Sequence, residues 1–209
     1  MRVTHVGILQ QRPRDPSLSY GPVSVVFVGD IVSMSIGPRR GFLRGTSATA
    51  WYELGCAHEA TDPARAIACY ERALAGRPDH ADAHNNLARL LHDRANAVTA
   101  SAPPSELSAS ESHRALLAIA ESHYRLALCA QNTVPLYWFN LAVSVEDQGR
   151  VAEAIELYQH ALSLDPQLAD AHWNLARLYE LTGRRTMDEL ALRRAVNHLV
   201  RYRNLRRVG

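Results

Sequence analysis

Apolar residues recur at helical spacing over most of the chain, and two stretches repeat almost letter for letter. Residues 81–90 read ADAHNNLARL and residues 169–178 read ADAHWNLARL. Related stretches surround two further leucines, and the intervals of 33, 54 and 34 residues separate the anchoring positions Leu54, Leu87, Leu141 and Leu175. Because side chains three and four positions apart share one face of a helix, each stretch predicts an amphipathic helix.

A second pattern of small and large residues follows each of these helices. In the first unit it consists of Ala66, Tyr70 and Ala73. Intervals of 54, 34 and 34 residues separate its central positions, which are Tyr70, Tyr124, Tyr158 and Leu192. Both patterns therefore indicate a repeat of 34 residues, with 20 extra residues inside the second unit. A repeat of this length predicts helical hairpins that bury their apolar faces by stacking on each other.

The repeat resembles the tetratricopeptide repeat family, whose unit is a helix–turn–helix of about 34 residues. The third unit carries the resemblance best, through Trp138, Leu141, Gly149, Ala154, Tyr158, Ala161 and Asp165-Pro166. His84 and His172 depart from it, since the family has tryptophan there, and Asp188 replaces a small alanine. The resemblance implies an all-α fold, a right-handed superhelical solenoid of about four helix-turn-helix repeats. Its units would span about 48–79, 81–133, 135–168 and 169–204, followed by a basic tail at 205–209.

The ends of the helices can also be predicted. Gly149 and Gly183 are expected to end first helices at turns with positive φ. The extra residues of the second unit, at about 95–113, are rich in Ser, Ala and Pro, which favours a flexible loop. The last helix is expected over about 186–202, with exposed arginines that keep the end of the array soluble.

Residues 1–47 lie outside the repeat and leave two interpretations open. Two apolar runs, Val23–Val28 and Ile31–Ile36, are joined by Gly29-Asp30, which is typical of a β-hairpin. A lone two-stranded hairpin is only marginally stable in water. The segment is therefore predicted to be either a small β-hairpin or disordered, and whether it is native to the functional protein stays open.

Charge and composition narrow the classes of partner. Residues 49–181 hold nine Arg and seventeen acidic residues (−8), whereas residues 182–209 hold eight Arg and two acidic residues (+6). An acidic body is a poor match for nucleic acid. No run of eighteen apolar residues occurs, so no membrane span is expected. The three cysteines lie in helical patterns without metal-type spacing, which suits a reducing cytoplasm.

Motifs for catalysis and for nucleotide binding are missing from the sequence. It contains no GxGxxG, P-loop, GxSxG, HExxH or CxxC motif. His80 and His84 have a spacing that could chelate a metal ion on a helix, but no further ligand is positioned with them. We therefore expect no enzyme, no cofactor and no metal site.

The candidate site is a ladder of polar residues. An asparagine directly precedes the anchoring leucine in three of the four first helices, and in the resembled family the first helices line a concave groove. A primary amide can both donate to and accept from a peptide backbone. The predicted groove residues are Asn86, Asn140, Asn174, Arg89, Arg177 and Glu146. The competing interpretation is that asparagine is simply common at this place in the repeat.

The prediction for function is a cytoplasmic bacterial scaffold or adaptor that binds an extended peptide or a protein surface in the groove. Pairing of copies through the array ends is a further prediction. The alternative is a transcriptional regulator or DNA-associated protein with a missing or altered N-terminal DNA-binding domain. The β-type pattern within residues 1–47 weighs against that alternative.

Overall fold

The structure, a computed structural model, describes residues 23–28, 31–36, 47–101 and 107–208. The chain divides into two compact units, Met1–Thr46 and Ser47–Gly209. In the first unit, strands β1 (Val23–Val28) and β2 (Ile31–Ile36) pair antiparallel, with Val28 opposite Ile31. These strands are the two apolar runs of the sequence. The rest of residues 1–46 lies outside the described residues.

The described part of the second unit is all-α, which confirms the predicted fold class. Its eight helices are α1 (Ala48–His58), α2 (Pro63–Gly76), α3 (Ala81–Ser101), α4 (Leu107–Ala130), α5 (Pro135–Asp147), α6 (Val151–Leu164), α7 (Ala169–Thr186) and α8 (Glu189–Val208). Helices neighbouring in sequence pack on each other in chain order, and α3 also contacts α5. Four consecutive helical hairpins result, with α1, α3, α5 and α7 as their first helices.

Side chains near the helix starts satisfy backbone groups that have no partner inside the helix. Ser47 accepts a hydrogen bond from the amide of Ala50 at 3.1 Å, and Asp62 accepts one from Arg65 at 3.0 Å. Asp188 does the same for α8, accepting from the amide of Leu190 at 2.8 Å. The short polar residues between the apolar patterns thus act as N-caps that define where these helices begin.

Alternating small and large residues build the core between hairpins. Tyr70, Tyr124 and Tyr158 occupy equivalent positions in three second helices and are completely or almost completely buried. The alanines on either side of each tyrosine are also fully buried, which lets neighbouring helices approach closely. The second sequence pattern therefore corresponds to the inner face of each second helix.

The flexible loop expected at 95–113 is wrong for most of its length. Residues 95–101 continue α3 and residues 107–113 begin α4, while the Pro-Pro pair falls in 102–106, outside the described residues. Ala95 is fully buried and Leu117 nearly so, and the carbonyl of Ala95 lies 2.9 Å from His113 Nδ1. Because the lengthened helices pack on each other and alanine favours helix, the extra residues extend the second hairpin.

Two predicted helix ends are also corrected. Gly149 has the expected positive φ of 79°, but Gly183 lies inside α7, and the left-handed residue that ends this helix is Met187 with φ 56°. The helix α8 starts at Glu189 and continues to Val208, so most of the expected tail at 205–209 is helical. Arginine and leucine in these last residues are good helix formers, which explains the longer helix.

Candidate functional site

The first helices contact each other directly along one side of the array. The amide of Asn140 on α5 donates to Asn85 Oδ1 on α3 at 2.9 Å. An ion pair joins Arg89 on α3 to Glu59 just after α1, and another joins Arg177 on α7 to Glu146 on α5. We call the side lined by α1, α3, α5 and α7 the first-helix face.

Two of the predicted asparagines are held by buried tyrosines of the preceding hairpin. Asn174 Nδ2 donates to the hydroxyl of Tyr158 at 2.9 Å, and Asn86 Nδ2 lies 3.4 Å from the hydroxyl of Tyr70. Both pairs are sixteen residues apart. Burial is the main cause that raises the pKa of each tyrosine, and a neighbouring glutamate adds to it. Each hydroxyl therefore stays protonated, so it can donate to a carboxylate while accepting from an asparagine.

The predicted arginines complete these networks through glutamates. Tyr158 donates to Glu146 Oε2 at 3.0 Å, and the same carboxylate pairs with Arg177. The equivalent carboxylate of Glu59 accepts from its own tyrosine and from Arg89. Only 11% of the Glu146 side chain is exposed, against 49% for Arg177. Each arginine is thus anchored at one edge by a glutamate while much of its guanidinium faces solvent.

The third asparagine has a different environment. Asn140 follows Tyr124 by the same sixteen residues, yet its amide binds Asn85 on the first-helix face. Val143 stands where the second and fourth units have arginine, so this position has no ion pair. Asn140 and Asn174 are both half-buried, and within the described residues their side-chain oxygens accept no hydrogen bond. These oxygens are available to a donor from a ligand.

Further polar contacts join the long α3 to α5. His92, which is buried, lies with Nε2 2.8 Å from Asp147 Oδ2, and Asn96 donates to the same oxygen at 3.3 Å. The hydrogen bond from His92 is the main cause that lowers the pKa of Asp147, and it outweighs the opposing effect of burial. Tyr137 of α5 also donates to Asp82 of α3. The middle of the face is therefore held by neutral and histidine-based contacts.

All six predicted residues lie on first helices, and five of them belong to two copies of one Arg–Glu–Tyr–Asn network. Sequence reasoning did not assign the other members, Glu59, Tyr70 and Tyr158, to the site, nor Asn85, which accepts from Asn140. A signal for Glu59 was present, because it follows Leu54 by five residues just as Glu146 follows Leu141. Whether these residues bind a ligand stays a prediction.

The described residues contain no group of three or more His, Cys, Asp or Glu side chains that could hold a metal ion. His84 instead faces His123, with their Nδ1 atoms 2.9 Å apart, and its Nε2 lies 2.9 Å from the carbonyl of Pro78. His80 lies at the start of α3, where its Nδ1 is 3.4 Å from the amide nitrogen of Ala83. Among the helices that the structure describes, none has the length and apolarity to cross a bilayer.

Two family models match the chain. One, described as TPR repeat, matches residues 147–183, and the other, described as Tetratricopeptide repeat, matches residues 52–110. The first match covers α6 and most of α7, and the second covers most of the first two hairpins. No curated protein matches the chain in sequence.

Solved structures share the fold. A crystal structure of MamA superposes with a TM-score of 0.61 at 15% identity, covering 78% of this chain and 80% of that one. MamA from Desulfovibrio magneticus RS-1 gives 0.59 at 18% identity, with 79% and 78% covered. The first TPR of Spaghetti (RPAP3), bound to the HSP90 peptide SRMEEVD, gives 0.53 at 17% identity, with 66% and 94% covered. With four stacked hairpins and family models that match in both halves of the array, the chain contains tetratricopeptide repeats and folds as an array of helical hairpins.

Proposed function

We propose that the protein is an interaction scaffold whose first-helix face binds an extended peptide or an extended segment of a partner protein. The observation that carries the proposal is the row of half-buried asparagines Asn86, Asn140 and Asn174 at equivalent positions, each with its amide nitrogen already bound inside the protein. Held in this way, Asn140 and Asn174 present their oxygens to a ligand without further loss of side-chain entropy, whereas the oxygen of Asn86 already accepts from Asn85 at 3.2 Å.

The chemistry of the face fits a peptide backbone. The side-chain oxygens of Asn140 and Asn174 would accept backbone N–H groups, while the exposed edges of Arg89 and Arg177 would donate to carbonyl or carboxylate oxygens. Each arginine keeps its glutamate partner, so a ligand carboxylate would add to an existing ion pair. The first TPR of Spaghetti (RPAP3) is bound to an HSP90 peptide in its solved structure, which supports peptide binding as a use of this fold.

We propose further that the array over 48–204 is the interacting region and that the protein acts in the bacterial cytoplasm. The described cysteines, Cys56, Cys69 and Cys129, are all free thiols, which fits a reducing compartment. The boundaries of the proposed region follow the repeat, with α8 continuing beyond its last position.

A peptide array tests the proposed face. Peptides that bind the wild-type protein are titrated against the Asn86→Ala/Asn140→Ala/Asn174→Ala variant, with Asn197→Ala/Asn204→Ala on α8 as the matched control. We expect the triple variant to lose about tenfold or more in affinity and the control to bind as the wild type does. Equal binding by the triple variant, with its helical circular dichroism intact, would remove the asparagine row from the site.

A further inference from the structure

A groove remains open between α7 and α8, on the last hairpin of the array. It encloses about 480 Å³, and its apolar walls are Trp173, Ala176, Leu192, Ala195, Val196 and Leu199. No described helix covers it. Val196 is 59% exposed, Trp173 46% and Leu199 39%, and together they line one continuous apolar groove.

The same groove exists on the preceding hairpin, and there a helix fills it. Residues 34 positions earlier include Ala142, Tyr158 and Ala161, all of which are completely buried. Helix α7 covers them, and its Asn174 donates to Tyr158. The α7–α8 groove is therefore shaped by the repeat to receive one more helix in the place that α7 takes on α5 and α6.

We propose that this groove binds an amphipathic α-helix with acidic side chains, presented by a partner protein. The groove shares Arg177 with the first-helix face, but the inference does not depend on the asparagine row. An apolar stripe on the ligand would cover Val196, Leu199 and the alanines, as in other cases where a helix lies in a hydrophobic groove.

The charge around the groove selects an acidic ligand. Residues 182–209 hold eight Arg and two acidic residues, and all eight arginines are exposed. Among the described residues, Arg184 on the groove wall pairs with Glu180 of its own helix at 2.6 Å, and Arg193 pairs with Glu189 at 3.8 Å. Exposed pairs of this kind are weak, so the arginines can also meet carboxylates on a docked helix.

A second copy of this chain would fit less well. The helix that would continue the array is α1 of the other copy, and it carries Glu53 and Cys56 where α7 carries Asn174 and Arg177. In the register of the repeat, Glu53 would face the apolar Leu192, and Cys56 would offer Glu180 no positive charge. Self-association is therefore the rival that the experiment must exclude.

The test uses two labelled peptides based on residues 169–186, the helix that fills the equivalent groove. Positions that are exposed in α7 carry Glu in one peptide and Lys in the other, except Arg177, which is kept in both because its equivalent partner in the groove is Glu180. Fluorescence anisotropy then measures binding to the full chain, to Val196→Gln, Leu199→Gln and Arg184→Glu, and to the matched control Ile119→Gln on α4, whose side chain is 48% exposed. Circular dichroism verifies that each variant is folded.

We expect the Glu peptide to bind at least about tenfold more tightly than the Lys peptide, and added salt to reduce the difference. Val196→Gln and Leu199→Gln should each weaken binding of the Glu peptide by about tenfold. Arg184→Glu should reduce the preference for the Glu peptide over the Lys peptide, and Ile119→Gln should leave the affinities for both peptides unchanged. The asparagine triple variant should bind the peptide like the wild type, which separates this inference from the proposed function.

Four results would overturn the proposal. One is equal or tighter binding of the Lys peptide, and another is unchanged binding by both groove variants. The third combines two results: the Glu peptide does not bind, and sedimentation shows self-association of the wild type that is lost in Val196→Gln. This combination would assign the groove to a second copy of the chain. The fourth is that the protein binds phosphatidylglycerol vesicles but not the Glu peptide, and that Arg184→Glu abolishes the binding to vesicles. This result would indicate that the groove region binds a lipid surface.

Discussion

Two glycines at equivalent positions in the third and fourth repeats act through different physical effects. Gly149 adopts a φ of 79°, and a side chain added there would meet no atom within 4 Å. Gly183 is helical, but an added Cβ would lie 2.9 Å from Leu192 Cγ and 3.0 Å from the carbonyl oxygen of Asp188. The first glycine is therefore needed for backbone conformation and the second for close packing of α7 on α8.

We expect Gly183→Ala to destabilise the protein by about 1–3 kcal/mol, because overpacking outweighs the gain in helix propensity of about 1 kcal/mol. Gly149→Ala should cost about 1–2 kcal/mol through its left-handed backbone. Urea unfolding followed by circular dichroism measures both. A Gly183→Ala protein more stable than the wild type would contradict the close contact, since only helix propensity would then act.

A buried glutamate connects the second and third hairpins. Glu121 of α4 is 6% exposed and accepts from Arg150 Nη1 at 2.8 Å and from Gln148 at 2.8 Å. Burial opposes its ionisation, but the hydrogen bonds from Arg150 and Gln148 prevail, so the pKa of Glu121 is lowered. A carboxylate with a lowered pKa stabilises the folded protein above its unfolded pKa, and this contribution is lost as pH falls through the folded value.

Arg150→Gln removes the main partner of this buried charge. We expect a loss of about 1–3 kcal/mol in the free energy of unfolding at neutral pH, and a smaller loss below a pH of about 4, where Glu121 is protonated in the unfolded chain. Denaturation at both pH values measures the difference. An equal effect at both would show that the arginine acts through packing alone.

At the scale of elements, a pair of histidines joins the two helices of each even-numbered hairpin. His172 on α7 faces His198 on α8 with Nδ1 atoms 2.8 Å apart, as His84 faces His123. His84 Nε2 donates to the carbonyl of Pro78, so in its neutral form its Nδ1 must accept from the other ring. At least one ring of such a pair must be neutral to accept the hydrogen bond.

Burial is the main cause that lowers the pKa of His123 to about 4, with the neighbouring His84 as the second cause. Burial, His172 and Arg201 likewise lower the pKa of His198 to about 4. Below a pH of about 6.5 the unfolded chain binds protons at these residues that the folded chain does not bind. Stability should therefore be complete above that pH and fall as pH decreases toward 4.

We expect this decrease to reach about 1–2 kcal/mol per histidine, after allowance for partial exposure. The variant His123→Asn/His198→Asn should show a flatter dependence of unfolding free energy on pH between about 6.5 and 4.5. His160→Asn, at an exposed position beside Trp138, is the control and should keep the wild-type slope. Equal slopes in all three proteins would mean that the histidine pairs do not titrate on unfolding.

The positions of the helices could be predicted from the sequence because a repeat supplies several independent copies of the same signal. Leu54, Leu87, Leu141 and Leu175 all fall on first helices, and Tyr70, Tyr124 and Tyr158 all fall in the core. The second hairpin was harder, since its extra residues contain serine and proline, which locally favour a loop. Burial of Ala95 and Leu117, a tertiary effect, decides for helix there.

The residues of the candidate site could be placed on first helices, but their bonding partners could not. The asparagines were expected to be open amides, whereas Tyr158 accepts from Asn174 and Tyr70 lies within reach of Asn86. A period in the sequence shows which residues are equivalent. It does not show which side chain of the neighbouring repeat each one meets, because that depends on how the hairpins are rotated against each other.

At the scale of the whole molecule, each hairpin depends on the next to cover its apolar face. Truncation after Leu168 would remove α7 and α8 and expose Tyr158 and Ala161, which are now fully buried. It would also leave Glu146 without Arg177. The truncated chain should therefore unfold at a lower temperature and aggregate more readily.

Differential scanning calorimetry and light scattering test this expectation. The control lacks only residues 206–209, whose two arginines are exposed, and should unfold at the wild-type temperature. A midpoint unchanged by the long truncation would show that the hairpins are stable on their own, against the nearest-neighbour dependence expected of a repeat array.

The ion pairs on the first-helix face join helices two by two. Arg89 couples α3 to the end of α1, and Arg177 couples α7 to α5, while Val143 leaves the step between α3 and α5 without such a pair. A chain lying along this face would consequently meet the same sequence of charges only after two repeats. Shifting it by one repeat would place each of its groups opposite a residue of another type, so we expect a bound segment to adopt a single alignment and a single direction.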